Sequence, residues 1–200
     1  MSDERAGDRA PDVLSSADEP AVTGDGAAVP GVDAWQQAAD RGATAAGGSI
    51  GVTGRRVGAP WVPASASLPP RLHAEVIDWL RGALPDEGCG VLVSDRTPEN
   101  GGVPSRFVGM RNTAASPYRY LMDSEELLRV MLEIDDADEV VWAIVHSHVA
   151  SPPYPSPTDI GLAAYPDALY VLASFASEPP ELRAWTIVDG AVNEVVLERT

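Results

Sequence analysis

Residues 140–162, VVWAIVHSHVASPPYPSPTDIGL, decide how this chain reads. Val140–His148 is an apolar run rich in β-branched side chains, the pattern of a strand buried on both faces. In a strand, side chains two apart share a face, so His146 and His148 project together from its carboxyl end, their Cα atoms roughly 6.5–7 Å apart. Val149–Pro155 is rich in proline and cannot continue a strand, so it is a loop. Pro157 then occupies the first position of a helix, with Ser156 as its N-cap and Asp159 in its first turn. The loop can swing Asp159 back to the two histidines. Two imidazoles and a carboxylate are a catalytic zinc ligand set, with a fourth position left for water. Asp159 has a plainer reading, complementing the helix dipole; two histidines within reach favour the ligand.

Outward from this stretch, Pro69–Gly82 carries Leu72, Val76, Ile77 and Leu80 at helical spacing, opened by prolines and closed by glycine. Cys89–Ser94, Arg106–Met110 and Tyr118–Met122 read as strands. Asp123 precedes a second helix, Ser124–Ile134, and Asp123 with Glu126 has the spacing of a capping box. Ala168–Phe175, Leu182–Val188 and Val192–Leu197 are three more strands, the last two joined by the hairpin signal Asp189-Gly190. Helices and strands mixed in this order predict an α/β (α+β) domain around one central sheet.

The first sixty residues differ. They hold ten of the 18 glycines, one leucine, one isoleucine and one aromatic, Trp35. Residues 1–60 are expected to be an unstructured tail rich in Ala, Gly and Asp, with the folded domain at 61–200. The tail carries nine acids and five arginines, which leaves −12 of the formal −16 on the rest. That balance, with no basic stretch, argues against nucleic acid and anionic membranes as partners. All 14 basic residues are arginine, which excludes Schiff-base lysine chemistry and a Walker-type phosphate loop. The single cysteine, Cys89, cannot form an internal disulfide or a cysteine-rich metal site. No basic region followed by an apolar run opens the chain, and no apolar stretch has membrane-spanning length, so a cytoplasmic protein is expected.

A hydrolytic metal site also needs a base that is not a ligand. Glu87, between Asp86 and Gly88 and just before the strand Cys89–Ser94, is placed to enter the site, though its spacing alone leaves a surface acid as an equal reading. Among the other candidates, His73 reads as a helix-surface histidine, Cys89 as a small buried hydrophobe and Asp123 as a cap. Tyr118, Arg119 and Tyr120 read either as groove lining or as strand packing. The acids Glu133, Asp135, Asp136, Asp138 and Glu139 read as a solvated turn.

Glu87, His146-Ser147-His148, Ser156 and Asp159, with seven residues between His148 and Ser156, resemble the JAMM signature of MPN-domain metalloproteases. The likeness spans about Leu68 to Glu198. Residues 85–92, the Asn112-to-Asp123 segment and the ending Ile187–Val192 look like a bacterial branch acting on sulfur-carrier proteins. The resemblance implies a single MPN/JAMM domain, its central, mostly antiparallel sheet flanked by helices. His146, His148 and Asp159 would hold one zinc ion per chain. Glu87 would shuttle the proton from water to the leaving amine, and Ser156 would donate to the developing oxyanion. The implied substrate is a ubiquitin-like sulfur carrier with a Gly-Gly tail, from whose last glycine cysteine is released. Trimming of another ubiquitin-like tail is the alternative. A non-catalytic MPN scaffold is disfavoured, since every ligand of the signature is present.

Overall fold

The computed structural model describes residues 61–200; the tail expected at 1–60 lies outside the described residues. Seven strands form one sheet: β1 (Ser65–Ser67), β2 (Cys89–Ser94), β3 (Arg106–Met110), β4 (Val140–His148), β5 (Leu169–Ser174), β6 (Glu181–Val188) and β7 (Ala191–Glu198). Their spatial order is β1-β7-β6-β5-β4-β2-β3. β1 with β7 and β4 with β5 are parallel, and the other four pairings are antiparallel. The sheet is thus mostly antiparallel, as expected.

Helix α1 (Pro70–Gly82) packs Leu72, Val76, Ile77 and Leu80 on one face of the sheet, against Trp142, Val145 and Val171. Helix α2 (Ser124–Asp136) covers the other face through Val130 and Ile134, in a cluster with Val91, Ile144 and Leu172. Because both faces are covered, β4 needs no polar alternation, and its sequence shows none. Asp189 and Gly190 both take positive φ, 50° and 79°, which a two-residue hairpin of matching twist requires.

Three local expectations change. Tyr118–Met122 is not a strand but part of a folded-back strap, closed by single bridges between Asn112 and Met122 and between Ser116 and Arg119. The Asn112 carboxamide oxygen accepts from the backbone of Ala114 and Leu121, taking groups a partner strand would have used. The capping box of α2 is half formed: Asp123 accepts from Glu125 N and Glu126 N, while the Glu126 carboxylate turns to Arg111 N. β1, not expected, is a Ser-Ala-Ser segment with no apolar pattern, held by main-chain pairing to β7.

Candidate metal centre

β4 ends inside the sheet, with β2 antiparallel on one side and β5 parallel on the other. A parallel pair needs a crossover, and here the crossover from β4 to β5 is the segment that carries the proline loop and Asp159. His146 and His148 are both buried on the α2 face, with ring centroids 5.2 Å apart. The loop beyond them is tied down by three successive carbonyls. Ser151 O accepts from Ser174 Oγ at 2.7 Å, Pro152 O from His148 Nδ1 at 2.7 Å, and Pro153 O from Trp185 Nε1 at 2.9 Å. A carbonyl only accepts, so Nδ1 of His148 carries a proton, and in the neutral ring Nε2 is the atom left to act as a ligand.

Helix α3 (Pro157–Leu162) then begins with a reciprocal capping box: Asp159 N donates to Ser156 Oγ at 3.2 Å, and Ser156 N donates to Asp159 Oδ2 at 2.7 Å. This turns the Asp159 carboxylate back toward β4. Its Oδ2 lies 3.5 Å from His146 Nε2 and 3.6 Å from His148 Nε2. The three donor atoms all fall within 4.8 Å of one another. Two donors on a tetrahedral ion, each ~2.0–2.2 Å from it, sit about 3.4 Å apart, so this set fits zinc. His146 is fully buried, yet neither ring nitrogen has a hydrogen-bond partner. An orphaned buried Nε2 beside a carboxylate and a second imidazole is the donor chemistry of a divalent-ion ligand.

The electrostatics set the two imidazoles apart. Burial holds the His146 pKa below its usual value despite Asp159, so its lone pair is free. For His148 burial pulls down, but the contacts with Asp159 and Pro152 win and raise it. Burial would raise Asp159, but the two imidazoles and Ser156 hold it well below the usual carboxylate range.

Glu87 arrives from the segment that leads into the neighbouring strand β2. Gly88, the residue after it, is clamped to the residue between the histidines: Ser147 N donates to Gly88 O at 3.0 Å, and Gly88 N donates to Ser147 Oγ at 2.9 Å. Glu87 N donates to Ser116 O at 3.0 Å, and Glu87 O accepts from Asn112 Nδ2 at 2.9 Å. The residue is 4% exposed. Burial pushes its carboxyl up to about 7, with His148 opposing and Asp159 adding to the shift. A carboxyl at that value can take and return a proton near neutrality. Ser156, in caging Asp159 N, uses a lone pair of its hydroxyl and leaves the proton free to donate elsewhere.

The other singled-out residues fall outside this cluster. His73 lies half-buried on α1, Cys89 is buried, and Asp123 caps α2 and pairs with Arg111. Of the acids around 133–139, Glu139 pairs with Arg106 at 2.6 Å and the others are exposed. Tyr118 is 88% exposed, whereas Tyr120 stacks on His146. A cleft lined by Arg119, Tyr120, Leu121, Thr158, Leu162 and Tyr165 opens beside Asp159. Sequence reasoning assigned nothing to Ser147, Asn112 or the Pro152 carbonyl; only the place of Ser147 between the histidines could have drawn notice.

A mixed sheet whose inner strand ends in two histidines, met by a helix-borne aspartate and faced by a buried glutamate, defines a JAMM-type hydrolase domain. The chain belongs to the prokaryotic homologs of the JAB domain, whose family pattern matches residues 69–188. It is 50% identical over 112 residues to the CysO-cysteine peptidase of Mycobacterium tuberculosis, covering 55% of this chain and 74% of that protein. It is 35% identical over 102 residues to the desampylase of Pyrococcus furiosus, covering 50% of this chain and 66% of that one. A Desulfitobacterium hafniense protein solved in solution superposes with a TM-score of 0.59 at 28% identity, covering 68% of this chain and 94% of its own.

Proposed function

We propose that this protein is a zinc peptidase that hydrolyses the bond after the terminal glycine of a ubiquitin-like sulfur carrier and releases cysteine. One observation carries the reaction class: the donor atoms of His146, His148 and Asp159 converge within 4.8 Å of one another beside the buried Glu87. The substrate rests on the 50% identity to a CysO-cysteine peptidase.

His146, His148 and Asp159 would hold zinc. When bound, zinc lowers the pKa of water toward 7 and polarises a carbonyl. The residues of the chain do the rest. Glu87 accepts a proton from the attacking water, then passes it to the departing amine. The Ser156 hydroxyl donates to the oxygen on which negative charge develops, a contact typically worth ~3 kcal/mol. His148, locked by Pro152 O, keeps its ring fixed while Glu87 cycles between charge states. The cleft between the strap and α3 borders Asp159, and we assign the extended tail of the substrate to it. We assign the reaction to the cytoplasm; among the described residues no helix is long and apolar enough to cross a membrane.

The likeness to the desampylase favours a second reading, a ubiquitin-like tail with another leaving group. Intact mass of a Gly-Gly-Cys-tailed carrier, incubated with the protein with and without chelator, tests the proposal. Chelator-sensitive loss of one cysteine is expected. No loss with zinc-loaded, folded protein would overturn cysteine release, and the same assay on other tails would test the second reading.

A further inference from the structure

The two histidines of the site are held in different ways. A metal-binding imidazole ordinarily donates its second ring N–H to a carbonyl or carboxylate, which fixes the ring's rotation. His148 does so, to Pro152 O at 2.7 Å. His146 does not: its Nδ1 is buried and has no partner. Cys89, opposite His146 in the β2–β4 register, is within sulfur hydrogen-bond range of Met110 O at 3.6 Å and not of the imidazole. Rotation about the last side-chain bond of histidine is intrinsically broad. Apart from the contact of Nε2 with Asp159 at 3.5 Å, no polar group restrains this ring, and at the Nδ1 side a packing contact must hold it.

Tyr120 is that contact. Its ring lies on the His146 ring with centroids 4.5 Å apart and planes at 24°. Tyr120 is itself clamped. Asn112 Nδ2 donates to the carbonyl of Arg119 at 3.1 Å, and Asn112 Oδ1 accepts from the backbone of Leu121 at 2.9 Å, one residue on either side. Asn112 Nδ2 also donates to Glu87 O at 2.9 Å, so one carboxamide sets the backbone of both the stacking ring and the proton carrier.

We infer that Tyr120 is a positioning residue for His146, its ring fixing by stacking the imidazole orientation that a hydrogen bond at Nδ1 fixes elsewhere. This rests on the metal-site reading above but not on the identity of the substrate. The hydroxyl plays no part in it; the ring face does.

The test is metal affinity, not turnover. Zinc and cobalt binding are measured by chelator competition on metal-free wild type, Tyr120→Phe, Tyr120→Leu and Tyr120→Met, each also in a His146→Gln background, with Tm of the metal-free forms as the check on folding. Phe should bind within about twofold of wild type, whereas Leu and Met should weaken binding ~10–100-fold, the usual effect of losing a supporting contact to a ligand. The cobalt absorption spectrum should shift in Leu and Met and not in Phe. In the His146→Gln background the Tyr120 substitutions should have little further effect, because the ring they orient is gone. Wild-type affinity in Leu or Met would overturn the inference. So would an equal loss in the His146→Gln background, the mark of a merely structural role, or a loss in Phe as large as in Leu. If Leu does not fold, Met carries the same comparison. If wild type itself binds neither ion, the metal-site reading falls, and this inference with it.

Discussion

Ser147→Ala removes a single oxygen from the middle of the His-Ser-His triplet, and the structure sets the size of the loss. Ser147 is fully buried, and its Oγ accepts from Gly88 N at 2.9 Å. Alanine has nearly the volume of serine, so no cavity opens and the effect is that of a lost acceptor. Water cannot take its place readily: Gly88 is packed so tightly that a Cβ there would meet Leu80 Cδ2 at 2.9 Å. A buried donor left without a partner costs ~1–3 kcal/mol, and we expect about 2 kcal/mol here. Urea unfolding of the metal-free protein, followed by tryptophan fluorescence, measures it without any contribution from metal binding. The m-value should not change, since no surface is exposed or hidden. In the metal-loaded protein the same substitution should lower kcat, because Glu87 sits one residue from the broken clamp. A change below about 0.5 kcal/mol with an unchanged m-value, the range of ordinary surface substitutions, would refute the clamp.

Other consequences follow from the same geometry. Glu87→Gln keeps the shape of the side chain and loses the proton carrier, so kcat should fall ~10²–10⁴-fold; metal analysis should still find one zinc per chain, and an empty site would show that Glu87 does more than move a proton. Asn112→Ala strips partners from the Glu87 carbonyl and the Ala114 amide; we expect a loss of ~1–2 kcal/mol in urea unfolding together with lower kcat, and a stable, fully active variant would contradict the role of the strap. Burial pushes the Cys89 thiol up to about 12, from 9. The folded protein should therefore resist alkylation at pH 8 and label only on unfolding; rapid labelling of the native state would be the contrary result. Because the unfolded thiol ionises first, the Cys89 contribution to stability is complete below pH 9 and is lost as pH rises from 9 toward about 12. A Cys89→Ala variant should lack that part of the alkaline decline.

What can be read from the sequence depends on how far apart in the chain the determining groups lie. β4 runs over Val140–His148, the limits its apolar run predicts, because a strand buried on both faces writes its environment into every side chain. α3 begins where Pro157 places it, since a cap, a first-turn proline and an N3 carboxylate act within one turn. The strap departs from its pattern because Tyr118–Met122 has strand-like side chains, while its backbone is claimed by the carboxamide of Asn112, a side-chain bond with no periodic trace. The capping box is half formed for a similar reason: Glu126 finds the Arg111 amide, 15 residues away, a better partner than its own cap.

The site divides along the same line. The three proposed ligand residues lie within one strand–loop–helix unit, so local rules suffice to bring them together, and the candidate set is legible in residues 146–159 alone. Glu87 belongs to the turn before another strand, β2, and what places it is the pair of bonds between Gly88 and Ser147, residues 59 apart in sequence. Its raised pKa is likewise a property of the assembled domain, since burial between β2, the strap and β4 is its main cause. The proposed metal binding and the proposed proton transfer would thus be built by separate parts of the fold. Damage to the Gly88–Ser147 clamp should then separate them: Ser147→Ala should keep its metal, with the His146–His148–Asp159 unit intact, while losing turnover. Parallel loss of metal affinity and kcat would instead mean that β2 and β4 form one cooperative unit with the ligands, and that Glu87 cannot be displaced without them.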